Sequence, residues 1–429
     1  MSSKRFSRFF RPFVLLYAGL CINFSAIAQK QIEDYVRKNV VPIANISPDS
    51  DQFSDLTPIG NAIGNAKVVM LGEQDHGDAP TFLAKTRLIK YLHEAKGFNV
   101  LAFEEDFFSL NEDWHAVENG DMDIKDFIAS NKGSVWGRCD ACANLFNVYI
   151  PATQTTKYPL KITGFDDIMS TLYLLPRLDS VIHELGLPIS KREDYEKIIF
   201  PLLNAWYRYT KDGLNSKLVN KYLTDIKEQM LGKLKPGDFW VRVVENFIQL
   251  NYQFYNSGKD YWLHKMNARD TMMAVNLTWL NKIKYPKEKI IVWAHNYHVS
   301  KYAGHYTDAF LNVERTMGTI FTKDSAVLRQ TYVLGFTSYQ GTAGRVNTKI
   351  YKIRKLKANS LENWIDNSYS YAYVDFKLFQ AIHGNETIPF YMAGSTKGNR
   401  YHDSQLAEWT KIYDGIFFIR DMYPCKKTE

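Results

Sequence analysis

Beyond residue 28 no apolar run approaches the ~20 residues that a membrane-spanning helix needs, so no stable membrane span is expected. The chain has no Gly-x-Ser-x-Gly elbow, which leaves a serine hydrolase of the common α/β type unsupported. It also lacks a Walker loop, a Gly-x-Gly-x-x-Gly fingerprint and a His-Glu-x-x-His pair, so nucleotide binding and ordinary zinc proteolysis drop out. Internal repeats and low-complexity tracts are absent as well. Cysteine is scarce, at 4 residues in 429. Cys139-Asp-Ala-Cys142 has CxxC spacing, but a four-ligand zinc site would need a second pair. An oxidising compartment favours a local disulfide there, inert thiols being the alternative. A redox role lacks the surrounding thioredoxin-type βαβ unit.

What is present begins with a distinctive amino terminus. Lys4, Arg5, Arg8 and Arg11 precede an apolar segment from Phe13 to Ala28, closed by Ala26-Ile27-Ala28, the pattern of a secretory signal peptide over residues 1–28. The mature chain, residues 29–429, is therefore expected to start near Gln29 and to be exported, periplasmic or secreted. Cys21 invites a lipoprotein reading, but Leu20 stands where a small residue is required. Taking four positive charges and no acids from the formal +7 leaves about +3 over the mature chain. A charge so small and so spread argues against nucleic acid, which needs a concentrated basic face. The lysines at 282, 284, 287 and 289 read as a solvated connection into the following strand.

With 45% hydrophobic and 14% aromatic residues the chain can bury a large core. The pattern alternates. Residues 29–63 are expected to form a short helix and loops, broken by Pro42, Pro48 and Pro58. Val68 to Leu71 reads as a strand. A helix follows, capped by Asp78, tolerant of Pro80 in its first turn and carrying Leu88, Ile89 and Leu92 up to Gly97. Asn99 to Glu104 is the next strand, parallel to the first by the crossover rule. Further strands are expected at 161–166, 290–293, 331–337, 372–375 and 415–419. Between about 172 and 280 apolar residues recur at threes and fours, which predicts four or more successive helices. Trp206, Tyr207, Phe239 and Trp240 belong there, as helix packing or as the lining of an apolar cleft. The expected fold class is α/β: a mixed, mainly parallel sheet flanked by helices, with a large helical insertion.

Three apolar runs of strand length end in ionisable side chains: Val68-Val69-Met70-Leu71-Gly72-Glu73-Gln74-Asp75-His76-Gly77, Val100-Leu101-Ala102-Phe103-Glu104-Glu105-Asp106 and Ile290-Ile291-Val292-Trp293-Ala294-His295-Asn296-Tyr297-His298. Lys161-Ile162-Thr163-Gly164-Phe165-Asp166 is a shorter fourth. Open α/β sheets place ligand crevices at the carboxyl ends of their strands. Histidines and carboxylates gathered there without an obvious nucleophile point to activation of water, with imidazole as general base and a carboxylate orienting it.

These stretches, taken in order, resemble the erythromycin esterase family. The resemblance rests on Leu71 to Gly77, Phe103-Glu104, Gly164-Phe165-Asp166, Arg269-Asp270-Thr271-Met272 with Asn276 and Trp279-Leu280, Trp293-Ala294-His295-Asn296 with His298, and Gly335-Phe336-Thr337. It spans about 67 to 419 and implies a hydrolase whose best-known members open a macrolide lactone without a metal. By that likeness His76 is the general base, Glu73 positions it or the water, and Glu104 lies close by. His295 and His298 would polarise the carbonyl or help the leaving alcohol, and Lys85, Arg269 and Asp166 are assigned with His298 to substrate contact. No cofactor is implied; the expected partner is a small-molecule ester or lactone. Departures fall at Lys85, where the family has arginine, at Trp136-Gly137-Arg138-Cys139, and at Glu105 in place of a small residue.

Each residue also has a structural alternative. Asp75 is expected to point away from the site or to cap the helix. Strand alternation lets only one of Glu104 and Glu105 face the crevice, leaving Glu105 to pair with a basic neighbour. Arg269 and Asp270 read otherwise as a salt-linked helix start. His93, His115, His183, His264, His305, His383 and His402 are taken as surface or structural. Two other functions remain open: a metal-dependent hydrolase using Glu73, His76, Glu104, His295 and His298, as metalloproteases are associated with distantly similar folds, and a non-catalytic binder of a glycan or lipid.

Overall fold

The computed structural model describes residues 29–131, 135–167, 172–209, 215–255, 261–302, 305, 315–384, 388–394 and 402–428. The expected signal segment lies outside the described residues. The strands are β1 (Val41–Pro42), β2 (Val68–Leu71), β3 (Phe98–Asp106), β4 (Lys161–Asp166), β5 (Lys289–Trp293), β6 (Thr331–Ala343), β7 (Tyr351–Lys352), β8 (Tyr371–Asp375), β9 (Phe390–Ala393), β10 (Ser404–Ala407) and β11 (Gly415–Met422). The main sheet runs β1-β8-β11-β6-β2-β5-β3-β4, with β7 on β6, while β9 and β10 pair separately. From β11 to β4 neighbouring strands are parallel; β8 runs against β11 and β1 against β8. The sheet is thus mixed and mainly parallel, as expected.

Its central strands are apolar throughout because both faces are covered. Val68 and Met70 of β2, with Ile290 and Val292 of β5, face one core layer; Val69, Leu71, Ile291 and Trp293 face the other, as a two-residue period requires. The helices before β4 are α1 (residues 29–39), α2 (Thr57–Ile63), α3 (Ala79–Lys96), α4 (Phe107–Asn119), α5 (Ile124–Asn131) and α6 (Ile150–Thr153). α3 carries the chain from β2 to β3. Pro80 lies in its first turn and Gly97 ends it with φ +70°, a left-handed conformation that glycine adopts without penalty. Asp106 closes β3 and caps α4 by accepting from the Phe108 and Ser109 amides.

Between β4 and β5 come α7 (Leu174–Glu184), α8 (Phe200–Tyr209), α9 (Ser216–Leu231), α10 (Phe239–Tyr255) and α11 (Tyr261–Trp279), the expected helical insertion. Trp206 and Tyr207 pack on Phe247, and Phe239 and Trp240 pack on Phe108, so these aromatics serve helix packing. α12 (Asn296–Val299) is a single turn after β5. Among the described residues no helix is long and apolar enough to cross a membrane.

One expectation is corrected. Cys139 bonds to Cys425, 286 residues away, and not to Cys142. Cys139 is extended and its segment pairs with the carboxyl-terminal strand through Asp140 N to Lys426 O and Thr428 N to Arg138 O, whereas Cys142 sits a turn later and faces the core as a buried thiol. In the chain-entropy picture a loop this long restricts the unfolded chain by about 6 kcal/mol.

Candidate active site

Four adjacent strands, β2, β5, β3 and β4, deliver their carboxyl ends to one place. The loop after β2 turns at Gly72, where a Cβ would lie 2.1 Å from Asn296 Oδ1; only glycine lets the β2 and β5 ends come so close. Asn296 joins them, its amide donating to Glu73 O at 2.7 Å and its side chain to Phe336 O at 2.7 Å on β6.

His76 stands at the centre, with 16% of its side chain exposed. Its Nδ1–H donates to Glu73 Oε1 at 2.7 Å, which fixes the tautomer and leaves the Nε2 lone pair 3.9 Å from Glu104 Oε1. Glu73 is itself fully buried: Trp136 Nε1–H donates to Oε1 at 3.0 Å and Lys85 Nζ to Oε2 at 2.7 Å. Burial alone would raise the Glu73 pKa, but the Lys85 ammonium and the His76 hydrogen bond outweigh it and hold the carboxylate at about 2. Burial draws Lys85 down to about 8 against the pull of Glu73, so the pair is ionised at neutral pH. The Lys85 ammonium also lies 4.1 Å from the Trp293 ring centre.

Glu104 is held from other directions. A β-bulge opens between Phe103 and Asp106, where β3 spends three steps against two on β4. Glu104 Oε2 accepts from the His295 amide at 2.8 Å, and Oε1 lies 3.0 Å from Arg269 Nη2 and 3.3 Å from His298 Nε2. Burial pushes its pKa up, yet His298, His76 and Arg269 bring it well below the usual carboxylate range. Arg269 also grips Asp166 with Nε to Oδ1 at 2.9 Å and a second bond from Nη2 to Oδ2. Asp270 accepts from His298 Nδ1–H at 2.8 Å and from the Met317 amide at 2.7 Å. Burial disfavours the His298 imidazolium, but Asp270 and Glu104 prevail and raise its pKa.

The structure therefore brings Glu73, His76, Glu104, His295, His298, Arg269 and Asp166 together, and it redistributes their roles. Lys85 has no exposed surface, so it braces Glu73 and cannot clamp a substrate. His295 has both ring nitrogens engaged: Nε2–H donates to Gln74 O at 2.5 Å and Nδ1 accepts from the Tyr297 amide at 3.0 Å, capping α12. Burial and the neighbouring His76 and His298 imidazoles hold its pKa well below normal, so it is neutral and positions the strand ends. Arg269 and Asp270 sit inside α11, not at a helix start, and both turn to the site. Glu105 has no basic partner among the described residues; burial, Asp166, Asp106 and Glu104 raise its pKa to about 8 beside an apolar recess walled by Phe103, Leu110 and Trp136. Asp75 points away from the crevice, as expected, and binds Arg345. Sequence reasoning gave no role to Asp270 as the partner of His298 or to Trp136 as a donor to Glu73.

The described geometry is an imidazole oriented by a buried carboxylate at parallel strand ends. Comparison agrees: the model of the erythromycin esterase family matches residues 204–422, and the chain belongs to that family. Among curated relatives, a putative hydrolase of Bacillus subtilis is 24% identical over 360 residues, covering 76% of this chain and 77% of the relative. The type II erythromycin esterase of Escherichia coli is also 24% identical, over 91% of this chain and 97% of its own length. Solved structures share the fold. A Bacillus cereus protein superposes with a TM-score of 0.70 at 20% identity, covering 94% of this chain and 99% of its own, and a mutant of the erythromycin esterase EreC in its open conformation with 0.63 at 13%, covering 90% and 98%. Membership marks the chain as one of a hydrolase family.

Proposed function

We propose that this protein is an exported hydrolase that cleaves a carboxylic ester or lactone of a small molecule, with His76 Nε2 removing a proton from water. The observation that carries the reading is the Glu73–His76 pair: one nitrogen is tied at 2.7 Å to a buried, ionised carboxylate, and the other faces Glu104 Oε1 at 3.9 Å on a side chain that is 16% exposed. In the step proposed, the water oxygen bonds to the carbonyl carbon as its proton passes to His76. The tetrahedral oxyanion forms near Arg269 and His298; the ester carbon–oxygen bond then breaks, and the proton moves from His76 to the leaving alkoxide. A preorganised base of this kind contributes roughly 10² to 10⁴-fold.

What favours this reading over a metal-dependent one is Arg269. Its guanidinium already sits between Glu104, Asp166 and His298, a fixed cation where an ion would have to bind. The likeness to a type II erythromycin esterase supports a macrolide lactone as one candidate substrate. Export is supported by the charged, apolar and small-residue order of the first 28 residues and by the Cys139–Cys425 bond, which suits an oxidising compartment. The test is to incubate the mature protein with a panel of lactones and simple esters and follow addition of one water by mass spectrometry. Turnover that survives chelation is expected. Stoichiometric metal with chelator-sensitive turnover would instead favour the metal reading, and saturable ligand binding without turnover would favour a silent binder.

A further inference from the structure

A second recess lies against the loop that carries His76, and the hydrolytic step does not use it. A cleft of about 720 Å³ opens between the β6–β7 hairpin and residues 402–403. Its floor is polar yet buried, with Asp75 and His402 each 2% exposed. Arg345 Nε donates to Asp75 Oδ1 at 2.6 Å, Tyr351 Oη lies 3.1 Å from His402 Nδ1, and His402 Nε2 lies 3.0 Å from Asp78 Oδ2. Arg354 pairs with Asp403 at 3.1 Å on the rim. Each acid thus has its own basic partner. Lys349 and Lys352 are left over: both are exposed, both line the cleft, and neither has an ion-pair or hydrogen-bond partner among the described residues.

The cleft is coupled to the site through the chain itself. The Asp75 oxygen that receives Arg345 also accepts the His76 amide at 2.8 Å. A Cβ on Gly77 would come within 2.2 Å of Gly344 O, so the His76 loop and the hairpin lie backbone to backbone. Lysines on an open surface are ordinarily just solvated. Here surplus cations rim a concave site with a buried polar floor, which concentrates positive potential and selects negative ligands.

We propose that this cleft binds an oxyanion group, a carboxylate, sulfate or phosphate. Lys349 and Lys352 supply the unpaired charge and Arg345 fixes the inner wall.

Two measurements test it. Calorimetric titration of the mature protein with inorganic phosphate and with citrate should show saturable binding that weakens with ionic strength. The Lys349→Ala/Lys352→Ala double variant, which alters only exposed side chains, should bind about ten-fold more weakly. Absence of saturable binding of either anion, or equal binding by the variant, overturns the proposal; which anion binds identifies the oxyanion chemistry.

Discussion

The two flanks of His76 are built in different ways. On one side Glu73, His76 and Lys85 come from a single strand-end loop and the first turns of the next helix, with Trp136 added from farther on, and every partner of Glu73 is a direct hydrogen-bond donor. On the other, Glu104 is met by Arg269, His298 and the His295 amide, drawn from α11, α12 and the end of β5, while the distance to His76 stretches to 3.9 Å. The first flank sets orientation, because a short rigid loop fixes which nitrogen holds the proton. The second sets charge, because it gathers Arg269 and His298 around acids from separate segments.

If that contrast is right, the largest effect belongs to Lys85. Lys85→Met leaves a buried carboxylate unpaired and should cost about 3–5 kcal/mol at neutral pH, read as a lowered Tm by calorimetry. The sign follows from Glu73, whose folded pKa of about 2 is depressed: its stabilisation is present above the ordinary carboxylate range and is lost as pH falls toward 2. The gap between wild type and variant should therefore narrow on acidification; a gap independent of pH would contradict the pairing. Next is Glu73→Gln, which keeps the shape and removes the charge. It should lower kcat/KM by about 10² or more, mostly through kcat, as expected when an imidazole loses its orienting carboxylate. On the second flank Asp270→Asn should cost roughly 10- to 100-fold through the loosened His298. Equal losses for Glu73→Gln and Asp270→Asn would erase the distinction between the flanks.

A further effect concerns stability alone. Glu105 has a folded pKa raised to about 8, so it contributes nothing adverse at low pH and becomes unfavourable as pH climbs from the ordinary glutamate range through 8. Glu105→Gln should match wild type in Tm near pH 4, gain progressively above it, and level off beyond about pH 8. A constant difference across that range would show that Glu105 does not stay protonated in the fold.

The residues of both flanks were legible in the sequence, and the partnerships among them were not. Apolar runs ending at Glu73, Glu104, Asp166 and His295 announced strand ends, because a strand buried on both faces has no other way to stop than in polar groups. The same logic located the helical insertion by its change of period. It could not say that α11 would swing Arg269 and Asp270 into the crevice, since a charged pair on a helix looks the same whether it meets solvent or a site. Lys85 was mistaken for a substrate clamp because nothing local reveals that a lysine on α3 is sealed under Trp293. The cysteine spacing misled for a similar reason: proximity in sequence favoured Cys142, while the pairing of the carboxyl-terminal segment favoured Cys425. β1, β7, β9 and β10, each two to four residues long, lie at edges or in a separate small sheet, where alternation is too short to read.

The most direct test is kcat/KM of His76→Ala against wild type on an ester or lactone that the mature protein hydrolyses, with near-ultraviolet circular dichroism confirming that the variant is folded. A loss of roughly 10² to 10⁴-fold is predicted for removal of the general base. Undiminished hydrolysis by the folded variant would contradict the account.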